Sequence, residues 1–118
     1  MNEEIGLSIS FRWNRIRFRN ALIESIGNPE YIHLLINSTD RMLYIQACQR
    51  DKDAFKVYFQ NDPSDAAFYL RGKRLMQYIA RLIGVDEDTS VWYLGTQVDE
   101  RTVVIALKEF EEIAREQE

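Results

Sequence analysis

Apolar and polar positions change period several times along this chain, and each change marks an element. From Leu7 to Trp13, Leu7, Ile9, Phe11 and Trp13 alternate with Ser8, Ser10 and Arg12. A period of two predicts a strand with one buried face. Asn14-Arg15 reads as a tight turn, since Asn tolerates the backbone angles a hairpin demands. Alternation then resumes, with Ile16 and Phe18 on one face and Arg15, Arg17 and Arg19 on the other. The two segments predict a hairpin whose polar face is mostly arginine. At Asn20 the period becomes helical: Asn20 is the expected N-cap, Leu22, Ile23 and Ile26 form the apolar stripe, and Gly27 followed by Asn28-Pro29 is a stop. A second hairpin follows, YIHLLIN (31–37) and RMLYIQAC (41–48), turning at Ser38-Thr39-Asp40.

The second half repeats much of this order. FKVYFQ (55–60) alternates, NDPSD (61–65) is a turn-rich connector, and Ala67–Leu70 is a short strand. RGKRLMQYIARLIG (71–84) is the strongest helix in the sequence, with Leu75, Met76, Ile79, Leu82 and Ile83 on one stripe and Gly84 as its stop. VDEDT is a loop, SVWYLGT and TVVIAL are strands about a QVDER turn, and the tail KEFEEIAREQE is compatible with an acidic helix. Gly27 and Gly84 hold matching places. The expected class is therefore α+β: two tandem ββαββ units, residues 1–50 and 51–118 (the second with the acidic tail), packed as one pseudo-twofold domain. A unit of about 50 residues can hardly bury a core alone, so the two halves are expected to share one.

Composition narrows the chemistry. The chain carries 15 Lys/Arg against 19 Asp/Glu, a net charge of -4. The charge is uneven: residues 1–50 hold six Arg against five acidic residues, and residues 51–118 hold nine Lys/Arg against fourteen. No apolar run approaches the ~20 residues that span a bilayer. The acidic MNEEIG start is unlike a basic secretory leader. A lone cysteine, Cys48, fits a reducing, cytoplasmic setting. The single imidazole, His33, the absence of zinc-spaced Cys/His, and the lack of a Gly-rich phosphate loop or serine elbow argue against an enzyme and against a cofactor or metal. His33 and Cys48 read as structural. Asp86-Glu87-Asp88 reads as a solvated loop, and Phe11, Trp13, Trp92 and Tyr93 as core and sheet-face aromatics.

What stands out is arginine. Arg12, Arg15, Arg17 and Arg19 fall within eight residues, without a lysine among them. Guanidinium forks suit phosphate oxygens and guanine edges, and each neutralised phosphate releases counterions. Because salt screens charges beyond ~10 Å, a local basic patch can work on an acidic protein. The alternative is a solvated face whose arginines pair with the acidic half. Arg71, Lys73, Arg74 and Arg81 on the second helix would extend the patch or form an ordinary solvated helix face.

The run Asn14-Arg15-Ile16-Arg17-Phe18-Arg19-Asn20-Ala21-Leu22-Ile23-Glu24-Ser25-Ile26-Gly27 resembles the swapped-hairpin DNA-binding motif of the AbrB/MazE/SpoVT family, which includes the tandem-repeat MraZ regulators. Arg15, Ile16, Phe18, Leu22, Ile26 and Gly27 fall in register with it. Asn14 stands where the family has Gly, Arg19 where it has Pro, and Ile23 where it has a phosphate-contacting Arg. The likeness covers Leu7–Cys48, with a looser match from Phe55 to Leu107. It implies a barrel-like swapped hairpin and a DNA-binding regulator. Arg12, Arg15, Arg17 and Arg19 would contact double-stranded DNA, with Arg74 extending that set. It also allows a protein partner on the acidic segment Glu109–Glu118. A protein-interaction module with no nucleic-acid role is the other reading, and monomer and homodimer both remain open.

Overall fold

The computed structural model describes residues 5–58 and 68–113. Its strands are β1 (Gly6–Ser10), β2 (Arg15–Phe18), β3 (Tyr31–Asn37), β4 (Met42–Cys48), β5 (Phe55–Lys56), β6 (Phe68–Arg71), β7 (Ser90–Asp99), β8 (Thr102–Ala106) and β9 (Glu111–Glu112). Its helices are α1 (Asn20–Ser25) and α2 (Lys73–Ile83). The strands form one antiparallel sheet in the order β5-β3-β4-β8-β7-β1-β2-β6, with β9 alongside β7. The sheet curls into a half-barrel. No helix among the described residues is long and apolar enough to cross a membrane.

This corrects the expected pair of tandem ββαββ units. β5 does not open a second hairpin with β6; it lies on the edge of β3. β6 pairs instead with β2, so the first hairpin takes a strand from the second half of the chain. β7 joins the two sides, pairing with β1 through its first half and with β8 through its second, and β8 in turn pairs with β4. The physical reason is that alternation declares which face of a strand is buried and is silent about its neighbour. Units too small to bury their own cores exchange strands until one continuous apolar surface is covered.

That surface is the inner face. Leu7, Ile9, Ile16, Phe18, Leu43, Ile45, Val91, Tyr93, Val103 and Ile105 project there and are buried. α1 adds Leu22 and Ile23, and α2 adds Met76, Ile79 and Ile83. Phe18 and Phe68 stack across β2 and β6 with ring centroids 5.2 Å apart. Tyr93 is fully buried, and its hydroxyl donates to the Leu107 carbonyl at 2.7 Å. Burial pushes the Tyr93 phenol pKa well up.

Several local expectations shift. Asn20 begins α1 but does not cap it; Arg19 holds the N-cap position without a side-chain bond. The first turn runs Phe11–Asn14, with Asn14 at φ 53°, so β1 ends at Ser10. Trp13 therefore leaves the buried row and is 56% exposed. β7 continues through a bulge at Gln97/Asp99 to Asp99, moving the QVDER turn to Glu100–Arg101. In the tail, Glu111–Glu112 is a strand rather than helix. The NDPSD connector, and residues 114–118 of the tail, lie outside the described residues.

Gly27 and Gly84 do end the two helices, at φ +91° and +74°. The Gly84 N–H closes α2 on the Ala80 carbonyl at 2.8 Å. Gly84→Ala forces a side chain into the left-handed region and is expected to cost about 1 kcal/mol, read as a lower urea midpoint at unchanged m-value.

Candidate nucleic-acid interface

The outer face of β6-β2-β1-β7 is set by the same alternation that builds the core. With Ile16 and Phe18 turned inward, Arg15 and Arg17 turn outward; with Leu7 and Ile9 inward, Ser8 and Ser10 face out. Val91 and Tyr93 are inward, so Trp92 and Leu94 lie outside, with Ser90 on the same side of the sheet but buried, and Phe68 and Leu70 leave Tyr69 and Arg71 outside. Register then arranges two rows. One is Arg71, Arg15, Ser10 and Ser90; the other is Tyr69, Arg17, Ser8 and Trp92. Arg19 follows directly after β2 and reaches the Trp92 ring.

Three arginines lie over aromatic faces. The guanidinium carbon of Arg12 is 5.1 Å from the Trp13 ring centroid, that of Arg15 4.9 Å from Tyr69, and that of Arg19 5.5 Å from Trp92. Such stacks hold the planar fork in place while its edge stays open to an anion. Among the described residues, Arg12, Arg15, Arg19 and Arg71 make no ion pair with a carboxylate. Arg15 and Arg71 are direct cross-strand neighbours, a like-charge juxtaposition that is unfavourable on its own.

Within this face lies a shallow slot of about 250 Å³, lined by Ser8, Ser10, Ser90, Trp13, Arg15, Arg17 and Ile113. The Ser10 hydroxyl accepts from the Trp13 N–H at 3.3 Å, fixing the turn above the slot. The Ile113 N–H donates to the Ser90 carbonyl at 2.8 Å and fixes the opposite wall.

The expected site residues do not all converge. Arg15 and Arg17 share the face, Arg19 joins it at the end of β2, and Arg12 stands on the turn beside it. Arg74 sits in the first turn of α2, exposed together with Tyr78 and Arg81, opposite the buried stripe Met76, Ile79, Ala80 and Ile83. It shares no sheet row with the others. Lys73 lines a separate cleft with Arg12, Asn14, Asp86, Glu87 and Asp88. Tyr69 and Trp92 are the additions, and Arg71, expected on the second helix as an extension of the patch, lies on β6 instead. The outward position of Trp92 was legible in the Val91/Tyr93 alternation, whereas Tyr69 and Arg71 join only through the β2–β6 register.

The chain matches no family model, no curated protein and no solved structure.

His33 Nε2 lies 2.8 Å from the Asp51 carboxylate, which is held below its usual range chiefly by the Asp53 N–H, with His33 adding to the effect. Burial raises the Cys48 thiol. Among the described residues, no three His, Cys, Asp or Glu side chains could together hold a metal ion. Glu111 stands opposite Trp92 across β9 and bounds the basic face on that side.

Proposed function

We propose that this protein binds nucleic acid through the outer face of β6-β2-β1-β7 and serves as a small cytoplasmic DNA-binding regulator. The observation that carries the reading is the pair of sheet rows. They hold Arg15, Arg17 and Arg71 edge to edge with Tyr69 and Trp92, on a chain with more acids than bases. Solubility does not call for opposed arginines; polyanion recognition does, because a bound phosphate removes their repulsion and releases counterions. The likeness of residues 14–27 to the AbrB-type motif points the same way.

A salt-gradient binding measurement on heparin and on random-sequence DNA tests this. Four cations, Arg12, Arg15, Arg19 and Arg71, give an expected slope of log K on log[salt] of roughly -2.8 on a single strand and -3.6 on duplex. Absence of retention at low salt defeats the proposal.

A second reading, a protein-interaction module, has its own support. On the outer face of β4-β8-β7 a groove of about 630 Å³ is lined by Met42, Trp92, Leu94, Val104, Ala106 and Phe110, together with Glu109 and Glu111. Leu94 there is 56% exposed. Failure of nucleic-acid binding would leave this groove as the better guide to function.

A further inference from the structure

We infer that the apolar groove on β4-β8-β7 receives helix α2 of a second copy of this chain, so that copies join head to tail. This goes beyond the nucleic-acid reading and does not depend on it.

The groove is part of a sheet face that keeps apolar side chains in water. Register places Leu35, Tyr44, Val104 and Thr96 in one outward row, with Met42 and Ala106 in the next. Leu35 and Leu94 are each more than half exposed, while the apolar stripes of both helices are spent on the inner core. Val104 and Ala106 form a floor of small side chains between Met42 on β4 and Leu94 on β7. A contiguous exposed patch of this kind marks an interaction surface.

The groove also carries charge. Glu109 and Glu111 line it on a segment tied to the sheet. The Glu109 N–H donates to the Ala106 carbonyl at 2.9 Å, and Glu111 pairs with β7 opposite Trp92. Among the described residues neither carboxylate makes an ion pair. A complementary guest is therefore apolar where it enters and cationic on its flanks.

The outward face of α2 has that composition. Arg74, Tyr78 and Arg81 are spaced i, i+4, i+7, so they share one side, opposite the buried Met76, Ile79 and Ile83. All three are exposed, and neither arginine makes an ion pair among the described residues. The two arginines lie about 10 Å apart along the axis, so they can straddle Tyr78 as it enters the groove. Laying one face of an amphipathic helix in an apolar groove is a common mode of recognition. The arginines of β2 and β6 are cationic too, but a sheet face does not enter a groove. Within one chain the two surfaces cannot meet, because α2 packs on the inner face and the groove opens on the outer. The contact is therefore heterologous and repeats from copy to copy.

Sedimentation velocity of the full chain, from micromolar to near-millimolar concentration, tests the inference. The expected weight-average mass climbs past that of a dimer as concentration rises. Two charge-reversed variants follow, Arg74→Glu with Arg81→Glu and Glu109→Lys with Glu111→Lys. Each is expected to weaken self-association about a hundredfold or more, because like charges then face one another. All four positions are exposed, so the core is untouched. An equimolar mixture of the two variants is expected to assemble again, since each offers the other surfaces of opposite charge. Leu94→Ser is expected to weaken assembly without changing any charge.

A wild type that stays monomeric throughout overturns the inference, and so does a mixture of the variants that stays monomeric. Undiminished association of the Glu109/Glu111 variant takes the groove out of the contact. Association lost with Leu94→Ser but kept by the Arg74/Arg81 variant gives the groove another guest, such as a second groove, and rejects α2.

Discussion

Replacing Arg15 and Arg17 together by alanine is expected to weaken nucleic-acid binding about a hundredfold or more at low salt. Each guanidinium–phosphate contact is a charge-assisted hydrogen bond contributing ~1.5–3 kcal/mol. The slope of log K on log[salt] should fall by about 0.7 on a single strand or about 0.9 on a duplex, as the phosphate neutralised by Arg15 is lost. The fold should tolerate the change. Both side chains leave the outer face, the core residues Ile16 and Phe18 stay, and removing Arg15 relieves its opposition to Arg71 while giving up its stack on Tyr69. Those two terms are each below ~1 kcal/mol and opposite in sign. A second variant separates charge from shape. Arg15→Lys with Arg17→Lys should retain the salt slope yet lose affinity, because an ammonium carries the charge without the planar fork. Affinity and slope both unchanged in the alanine variant would remove this face from the binding surface.

How much of that face was legible in advance follows from what a strand records in its own residues. Alternation at Ile16/Phe18 against Arg15/Arg17 sufficed to turn the arginines outward, since turning the arginines inward would have buried charge. Gly27 and Gly84 marked the helix ends because few other residues accept their backbone angles. Pairing between strands distant in the chain left no such trace. Nothing in FYLR announces that Arg71 will sit beside Arg15, or that FK will add to β3 rather than to FYLR. The repeated sequence of apolar helix, glycine and hairpin was real as local structure and misled as architecture, because β7 serves both sides of the sheet. Trp13 leaves the buried row for a related reason: the alternation outlasts the strand, and the chain turns at Phe11. The tail KEFEE has helical propensity, yet an unpaired stretch of β7 offered its backbone more hydrogen bonds than an isolated acidic helix could keep.

Gly6→Ala is expected to destabilise the protein by about 3 kcal/mol and to disturb the interface from beneath. Gly6 lies on β1 opposite Leu94, in the middle of the outer face, where the Trp92 indole covers the bare backbone. A Cβ there would collide with Trp92 Cη2, lie 2.6 Å from Cζ2 and come within 2.7 Å of the Tyr93 carbonyl oxygen. The ring can swing away, but the carbonyl belongs to the neighbouring strand and yields only if β1 and β7 separate. Overpacking of this kind typically costs 1–3 kcal/mol, and the backbone contact sets the upper end. The same strand position is tied to the binding residues, because the Arg19 N–H donates to the Gly6 carbonyl at 3.1 Å and its guanidinium rests on the displaced ring. Loss of stability should therefore come with a red shift of Trp92 emission, measured in a Trp13→Phe background, and with weaker nucleic-acid binding. A double-mutant cycle identifies the ring as the cause: Trp92→Ala should cost clearly less in the Gly6→Ala protein than in the wild type, with a coupling of about 1 kcal/mol or more. Additive effects would mean that Trp92 does not rest on Gly6.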